Sequence, residues 1–458
     1  MARSTTVGVI ETEVLAYTAG EDRVLDLALL EADCMGSAAH VEMLSRMKGA
    51  ARPVSREEAA KVREALRGLW KEGQEGRFEI TAEDQDVHLA IERRLTESLG
   101  DVGKRVHTCR SRNDQVAVDL RLWARARLAE TLEAVATAAA ALEKFGKRWA
   151  KVPMVGRTHM QPAMPSSVGL WAGAWAESLL DDAELLKSAW RLNNRCPLGS
   201  AASYGVPLPI DRALTAKLLD FDGPVHNVLH ANQMRGKLES IQLQALGQVM
   251  LTLSRLAQDL ILFSMPEFGY FTLPAAYTTG SSIMPQKRNP DVLELMRAKA
   301  AKVLGLAQVV AEIVRAAPSG YNRDLQETKG PFLKGYEITL ASLRILPGLL
   351  AGTTVHEEAL RGAFGPAVYA TDRALELVAG GMPFRDAYHY VKAHLDELEA
   401  RNPDEAIALK THLGAPMGLD WAWLEGQIRE LAKEARGMRR RHEACRDRLL
   451  GTGKGTPA

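Results

Sequence analysis

Cysteine is scarce in this chain. Only Cys34, Cys109, Cys196 and Cys445 occur among 458 residues. They lie far apart with no C-x-x-C pair, which argues against a disulfide framework or a zinc site and fits a reducing cytoplasm. Charge of one sign is also lacking. The formal net charge is +1, which argues against a protein that coats nucleic acid. The densest basic run, Arg436 to Arg448, is broken by Glu443 and Asp447 and reads as a solvated helix face. No apolar run is long and uncharged enough to span a bilayer, and Met1 to Glu13 carries no secretory pattern, so no membrane partner is expected. Dinucleotide and P-loop fingerprints, a G-x-S-x-G elbow, an H-E-x-x-H pair and metal-spaced acids are missing too. The expectation is an enzyme without cofactor or metal. The glycine-rich tail 451–456 reads as a flexible end, because no strand or helix follows it.

Apolar residues make up 46% of the chain, enough for a large core, and the length suggests two to four domains. Between Asn232 and Met265 apolar side chains fall at Leu238, Ile241, Leu246, Val249, Met250, Leu253, Leu256, Leu260 and Ile261. Steps of three and four are the helix period. Segments 117–150, 167–194 and 294–316 read the same way. Several very long helices in one chain predict an all-α fold with a central bundle. Their wide apolar faces suggest that neighbouring subunits complete the core. Breaks fall at 101–103, 152–165, 197–209, 266–290 and 317–330, where glycine, proline and asparagine cluster. They divide the chain into an N-terminal helical domain (1–104), a central long-helix domain (105–352) and a C-terminal domain of short helices (353–458).

Four polar blocks sit at or beside these breaks. His107-Thr-Cys-Arg-Ser-Arg-Asn-Asp-Gln115 opens a long helix. Its arginines, Ser111 and Asn113 beside a helix N-terminus suit a bound carboxylate; a capped helix start with solvated charges is the plainer alternative. Gly156-Arg-Thr-His-Met-Gln-Pro162 is expected at the start of the next long helix. Its His159 can act as a general acid or base, although a lone histidine is more often structural. Gly280-Ser-Ser-Ile-Met-Pro-Gln-Lys-Arg-Asn-Pro290 reads as a mobile loop that can close over a small anion. There Ser281 or Ser282 could exchange a proton, while Lys287 and Asn289 hold an oxyanion. Tyr321-Asn-Arg-Asp-Leu-Gln-Glu-Thr-Lys329 could bind a zwitterionic amino-acid group. Together these point to proton chemistry on a polycarboxylate rather than hydride or phosphoryl transfer.

On these blocks the chain resembles the fumarase/aspartase superfamily and, within it, the argininosuccinate lyase family. The 280–290 loop has the superfamily pattern, and its Met-Pro-Gln-Lys is the argininosuccinate lyase form. His107–Gln115, Tyr321–Glu327, Asp86-Val-His88, Gly36–His40 and Pro383–Ala387 match as well, in the family's order across nearly the whole chain. The resemblance implies a homotetramer with each active site built from three subunits. It also implies anti elimination of arginine from argininosuccinate, releasing fumarate, in the arginine biosynthesis route. It casts Ser281 as the base on Cβ and His159, polarised by Glu294, as the other acid–base group. Lys287 and Asn289 then steady the aci-carboxylate. Ser111, Arg112, Asn113 and Thr158, with Gln161 beside them, hold the succinyl carboxylates. Tyr321, Gln326 and Lys329 hold the amino-acid end, and Asp86 and His88 form a further wall.

The chain departs from the family pattern in places. Tyr17–Asp22 stands where a Trp-Gly-Gly-Arg-Phe start is usual, and Cys109 replaces a glycine. Met234 and Gly236 flank Arg235 where two acids are usual, and Thr328 replaces an acid beside Lys329. These changes fall on the amine side of the site. They leave open a related lyase for a different N-substituted aspartate. A catalytically silent, crystallin-like scaffold is the alternative from another class.

Overall fold

The computed structural model describes residues 2–5, 8–49 and 52–451, most of them helical. Three helices dominate the N-terminal part: α1 (Leu30–Ser45), α2 (Arg56–Gln74) and α3 (Val87–Leu99). Ser55 opens α2 with a capping box, its hydroxyl accepting from the Glu58 N–H while the Glu58 carboxylate accepts from the Ser55 N–H.

Long helices follow: α4 (Arg112–Arg148), α5 (Val168–Asn193), α6 (Lys237–Ser264), α7 (Asp291–Arg315) and α8 (Lys329–Gly352). The alanine-rich, proline-free sequence of α4 sustains 37 residues of helix, a rod about 55 Å long. Contacts fix the directions. Asn193 on α5 donates to the Arg121 carbonyl on α4 at 2.9 Å, and Gly146 lies against Ala172, so α4 and α5 are antiparallel. The Trp171 indole donates to Asp259, and Gln242 donates to Asn193, which turns α6 back along α5. Gly247 faces Leu304, and Arg297 bonds Gln258, which reverses α7 again. Trp123 packs on Phe332 and Tyr336, and Arg344 pairs with Glu130, so α8 runs with α4. Hence α4, α6 and α8 start at one end of the bundle, called here the near end, while α5 and α7 start at the far end.

Two expectations need correction. The region after Gly352 is not only short helices. Residues 370–398 do make a small separate cluster around Ala374, Ala387 and Val391. Yet α9 (Trp421–Leu450) is 30 residues long and packs antiparallel on α4, with Trp421 against Gly146 and Arg439 paired with Glu133 at 3.2 Å. Second, 156–162 does not begin a helix. It is the tip of an antiparallel hairpin, β1 (Pro153–Thr158) with β2 (Gln161–Ser167). Pro162 and Pro165 lack the N–H groups that a helix interior needs. The helix starts only after Ser167, whose hydroxyl accepts from the Leu170 N–H. The glycine-rich tail beyond Gly451 lies outside the described residues.

Candidate active site

The near end carries a narrow cleft lined by Thr18, Asp22, Gln85, Asp86, Arg112, Asn113, Arg235, Tyr321, Arg323, Gln326 and Lys329, among others. Its position follows from the fold. Ser111 caps α4, accepting from the Asn113 N–H at 3.2 Å, while Asp114 accepts from the Ser111 N–H. That box fixes Arg112 and Asn113 on the first turn, facing the cleft. Asp86 caps α3 through the Leu89 N–H and holds the Arg112 guanidinium at 3.2 Å. A 3-10 turn, Arg323–Thr328, links the end of α7 to the start of α8 and brings in Gln326. The Gln326 amide donates to the Thr18 carbonyl at 3.0 Å, and Arg323 donates to the same oxygen at 2.7 Å.

Lys329 is buried, its ammonium paired with Asp26 and, at 2.9 Å, with Asp22. Burial raises the Asp26 carboxyl to about 6 even though Lys329 opposes the rise. The Lys329 ammonium is held above its ordinary range by Asp26 and Asp22, against burial. These two acids meet the charge that an acid at position 328 would otherwise face. Thr328 itself is buried and donates to the Leu325 carbonyl. Arg235 is likewise provided for. Its Nε pairs with Glu239, one turn on, at 3.2 Å, and its Nη2 donates to the Leu325 carbonyl at 3.2 Å, while Nη1 has no partner among the described residues. Gly236 between them sits at φ +70°, and a Cβ there would lie 2.4 Å from Val314; an acid side chain does not fit.

Behind the cleft lies a buried polar cluster. His88 is buried and does not line the cleft. Its Nδ1 is 3.1 Å from Asp33 and its Nε2 is 3.2 Å from His107 Nδ1. Despite burial, His88 and Arg110 hold the Asp33 carboxyl below its usual range. Burial and the neighbouring Asp33 push Asp119 well above it, so Asp33 carries the charge of the pair. Arg110 donates to Ser37 and to Gln115, both at 2.8 Å. Burial, then Arg110, lowers His107 to about 4, and burial lowers His40 to about 3; both rings are neutral near pH 7.

The remaining candidate residues stand at the far end. Thr158 and Gln161 pair at the hairpin tip, with His159 and Met160 between them at φ +52° and +62°. All four are exposed, and His159 has no hydrogen-bond partner among the described residues. The 280–290 segment is a loop closed by a two-residue ladder, Thr279 to Asn289 and Gly280 to Arg288. The Ser281 hydroxyl accepts from the N–H groups of Ile283 at 3.3 Å and Met284 at 3.0 Å. Asn289 donates to the Gly280 carbonyl, and Lys287 is exposed. Glu294, exposed on the first turn of α7, has no side-chain partner among the described residues.

One chain therefore gathers Asp86, Arg112, Asn113, Tyr321, Gln326 and Lys329, with Ser111 and His88 in support. It leaves Thr158, His159, Gln161, Ser281, Lys287, Asn289 and Glu294 at the other end of the bundle. Sequence reasoning missed Asp22, Asp26, Gln85 and Glu239. Asp22, Gln85 and Glu239 each lie in or beside a segment singled out from sequence, whereas Asp26 lies in none.

Residues 22–305 match a family model described as lyase. A protein of Sorangium cellulosum named argininosuccinate lyase is 45% identical over 94% of this chain and 98% of its own length. A protein of the same name from Parabacteroides distasonis is 42% identical over 83% of this chain and 85% of its own. Among solved structures, an EDDS lyase variant with bound fumarate superimposes with a TM-score of 0.77 at 21% identity, covering 96% of both chains. A class II fumarase from Schistosoma mansoni gives 0.69 at 17% identity, covering 88% of this chain and 98% of the other. At such identities the solved structures speak to the fold.

Proposed function

The chain belongs to the lyase family and, within it, to the argininosuccinate lyases, and on that premise we propose that it eliminates arginine from argininosuccinate and releases fumarate. A base takes the proton from the succinyl Cβ. The electron pair passes into the adjacent carboxylate as an aci-carboxylate, then returns to form the C=C bond as the C–N bond breaks. The leaving guanidinium nitrogen takes a proton.

The geometry of Ser281 is the observation that carries this reading. Two backbone N–H groups point at its hydroxyl oxygen, and Lys287 and Asn289 share its loop. Two N–H donors on one oxygen favour its alkoxide form, which a base on Cβ must reach. Lys287 and Asn289 then hold the aci-carboxylate. His159, with Glu294, is the second acid–base group. Ser111, Arg112, Asn113, Thr158 and Gln161 hold the succinyl carboxylates. Tyr321, Gln326 and Lys329 orient the amino-acid end, and Asp86 and His88 support the wall. One preorganised donor at the oxyanion contributes about 3–4 kcal/mol to such a step.

The two halves of this machinery lie at opposite ends of rods up to about 55 Å long. A single chain does not close both on one substrate. A homotetramer completes the site when the near-end cleft of one chain meets the hairpin tip and the 280–290 loop of two others. Exposed Leu251 on α6 and Leu295, Leu304 and Val309 on α7 supply apolar surface for that assembly. Among the described residues no helix is long and apolar enough to cross a membrane. Four unpaired cysteines, three of them buried, support a place in the reducing cytoplasm.

Fumarate release followed by ultraviolet absorbance tests the reading, with argininosuccinate as substrate and adenylosuccinate and aspartate as controls. Release from argininosuccinate alone is expected. Release from a control only, or from none of the three, would overturn the assignment.

A further inference from the structure

His88 and Glu92 are one turn apart on α3, the i, i+4 spacing that puts two side chains on one helix face. His107, in the turn before α4, comes up against both. His88 Nε2 is 3.2 Å from His107 Nδ1, and Glu92 Oε2 is 3.6 Å from the same nitrogen. One ligand atom from each lies within 4.8 Å of the others. A tetrahedral zinc with bonds of about 2.0–2.1 Å separates its ligand atoms by about 3.3 Å. These two spacings, 3.2 and 3.6 Å, bracket that value.

The surroundings fit an ion as well. The Asp33 carboxylate lies 3.1 Å from His88 Nδ1, where it can accept from that nitrogen, and His88 Nε2 faces His107. Carboxylate, imidazole and metal in that order is the arrangement that orients histidine ligands in metal sites. Asp33 and Glu92 carry two negative charges against a divalent ion. The Arg110 guanidinium is the opposing charge nearby, bonded to Ser37 and Gln115. His88 is buried, whereas the side chains of Glu92 and His107 are 27% and 34% exposed, so an ion can enter from solvent and keep a water as fourth ligand.

We propose that His88, Glu92 and His107 form a binding site for a divalent transition-metal ion of the zinc class, behind the wall of the near-end cleft. Such an ion ties α3, which follows Asp86, to the turn that leads into Ser111 and Arg112. Its effect is on the rigidity of that wall, and the elimination chemistry does not pass through it. The sequence hid the site because the third ligand is fifteen residues from Glu92 and the set contains no cysteine.

The test is calorimetric titration of the full, chelator-stripped protein with Zn²⁺, together with the visible absorbance of Co²⁺ as a probe of coordination. One ion per chain is expected, with cobalt bands of a four-coordinate nitrogen and oxygen site. Glu92→Gln and His107→Phe should each weaken binding by more than about 10-fold, the loss that removal of even a partner behind a ligand brings. Glu92 has no hydrogen bond elsewhere among the described residues, so Glu92→Gln keeps the fold, as circular dichroism will check. Absence of saturable binding, or one-per-chain binding unchanged in folded Glu92→Gln, would overturn the proposal; the second result would place the ion on other histidines.

Discussion

The Lys329 ammonium is buried against the Asp26 carboxylate, whose other oxygen accepts from the Val87 N–H at 3.3 Å. That contact ties the first residue of α8 to the first turn of α3, and so joins two walls of the cleft. Lys329→Ala leaves Asp26 buried without its cation, a change that costs roughly 3–5 kcal/mol. The pH dependence has a definite sign. Asp26 is raised from 3.8 to about 6 in the folded chain. Its contribution is fully present below pH 3.8 and is lost as pH rises through about 6. Without Lys329 that loss continues to higher pH, so the deficit of the variant should be large at pH 7–8 and shrink toward pH 4. Urea unfolding at both ends of that range checks it; an equal deficit at both would contradict the pairing.

Gln85 lines the cleft with a donor that nothing among the described residues uses. It is buried, at φ +69°, and its amide nitrogen has no partner among the described residues. Gln85→Asn keeps a residue that tolerates this backbone while withdrawing the amide by one methylene. A single hydrogen bond is worth about 0.5–1.5 kcal/mol, so KM should rise by about 2- to 12-fold with kcat little changed. An unchanged KM would remove Gln85 from the binding surface.

Ser281→Ala should lower turnover by about 10²–10⁴-fold, the range for loss of a general base, with helix content and assembly intact. Ser282→Ala separates the two hydroxyls, because only Ser281 is held by the loop's N–H groups. If Ser282→Ala were the variant that lost turnover, the base assignment would move to its neighbour.

Asp182, at the contact of α5 with α6, is raised from 3.8 to about 6 by burial, against the 2.6 Å bond from Thr252. A raised carboxyl stabilises the fold fully below pH 3.8 and loses that contribution as pH climbs through about 6. Asp182→Asn retains the acceptor without the charge. It should therefore be more stable than the parent at pH 7.5, by up to about 3 kcal/mol, and lose the advantage near pH 4. Melting curves at the two pH values decide it.

The long helices were legible because apolar residues at steps of three and four announce a helix wherever it packs. In α9 the same steps run through Leu424, Ile428, Leu431 and Ala435, but arginine and glutamate dilute them, and its length was missed. The solvated face read from Arg436 to Arg448 does hold: Arg436, Arg439, Arg440 and Arg441 are exposed around buried His442 and Cys445. The hairpin tip gave no local sign. Two-residue turns with both residues at positive φ usually advertise Asn-Gly, and here His159 and Met160 fill them. Cys109 shows the converse. Its φ of +63° accounts for a position that glycine usually holds. Asp26 under Lys329 and Glu239 under Arg235 answer departures that had looked like losses on the amine side. Spacing could not reveal Asp26, 303 residues from its partner. Glu239 was one turn away from Arg235 and could have been found by asking what meets a buried arginine.

The most direct test of the account is complementation between two inactive variants. Asn113→Ala disables the near-end cleft, and Ser281→Ala disables the far-end loop. Each alone should be inactive. Unfolded together and reassembled in equal amounts, they should regain activity, because some sites then draw the intact cleft from one chain and the intact loop from another; random mixing in a symmetric assembly restores roughly a quarter of the sites. No recovery, with mixed oligomers demonstrated, would contradict a site divided between the two ends of the bundle.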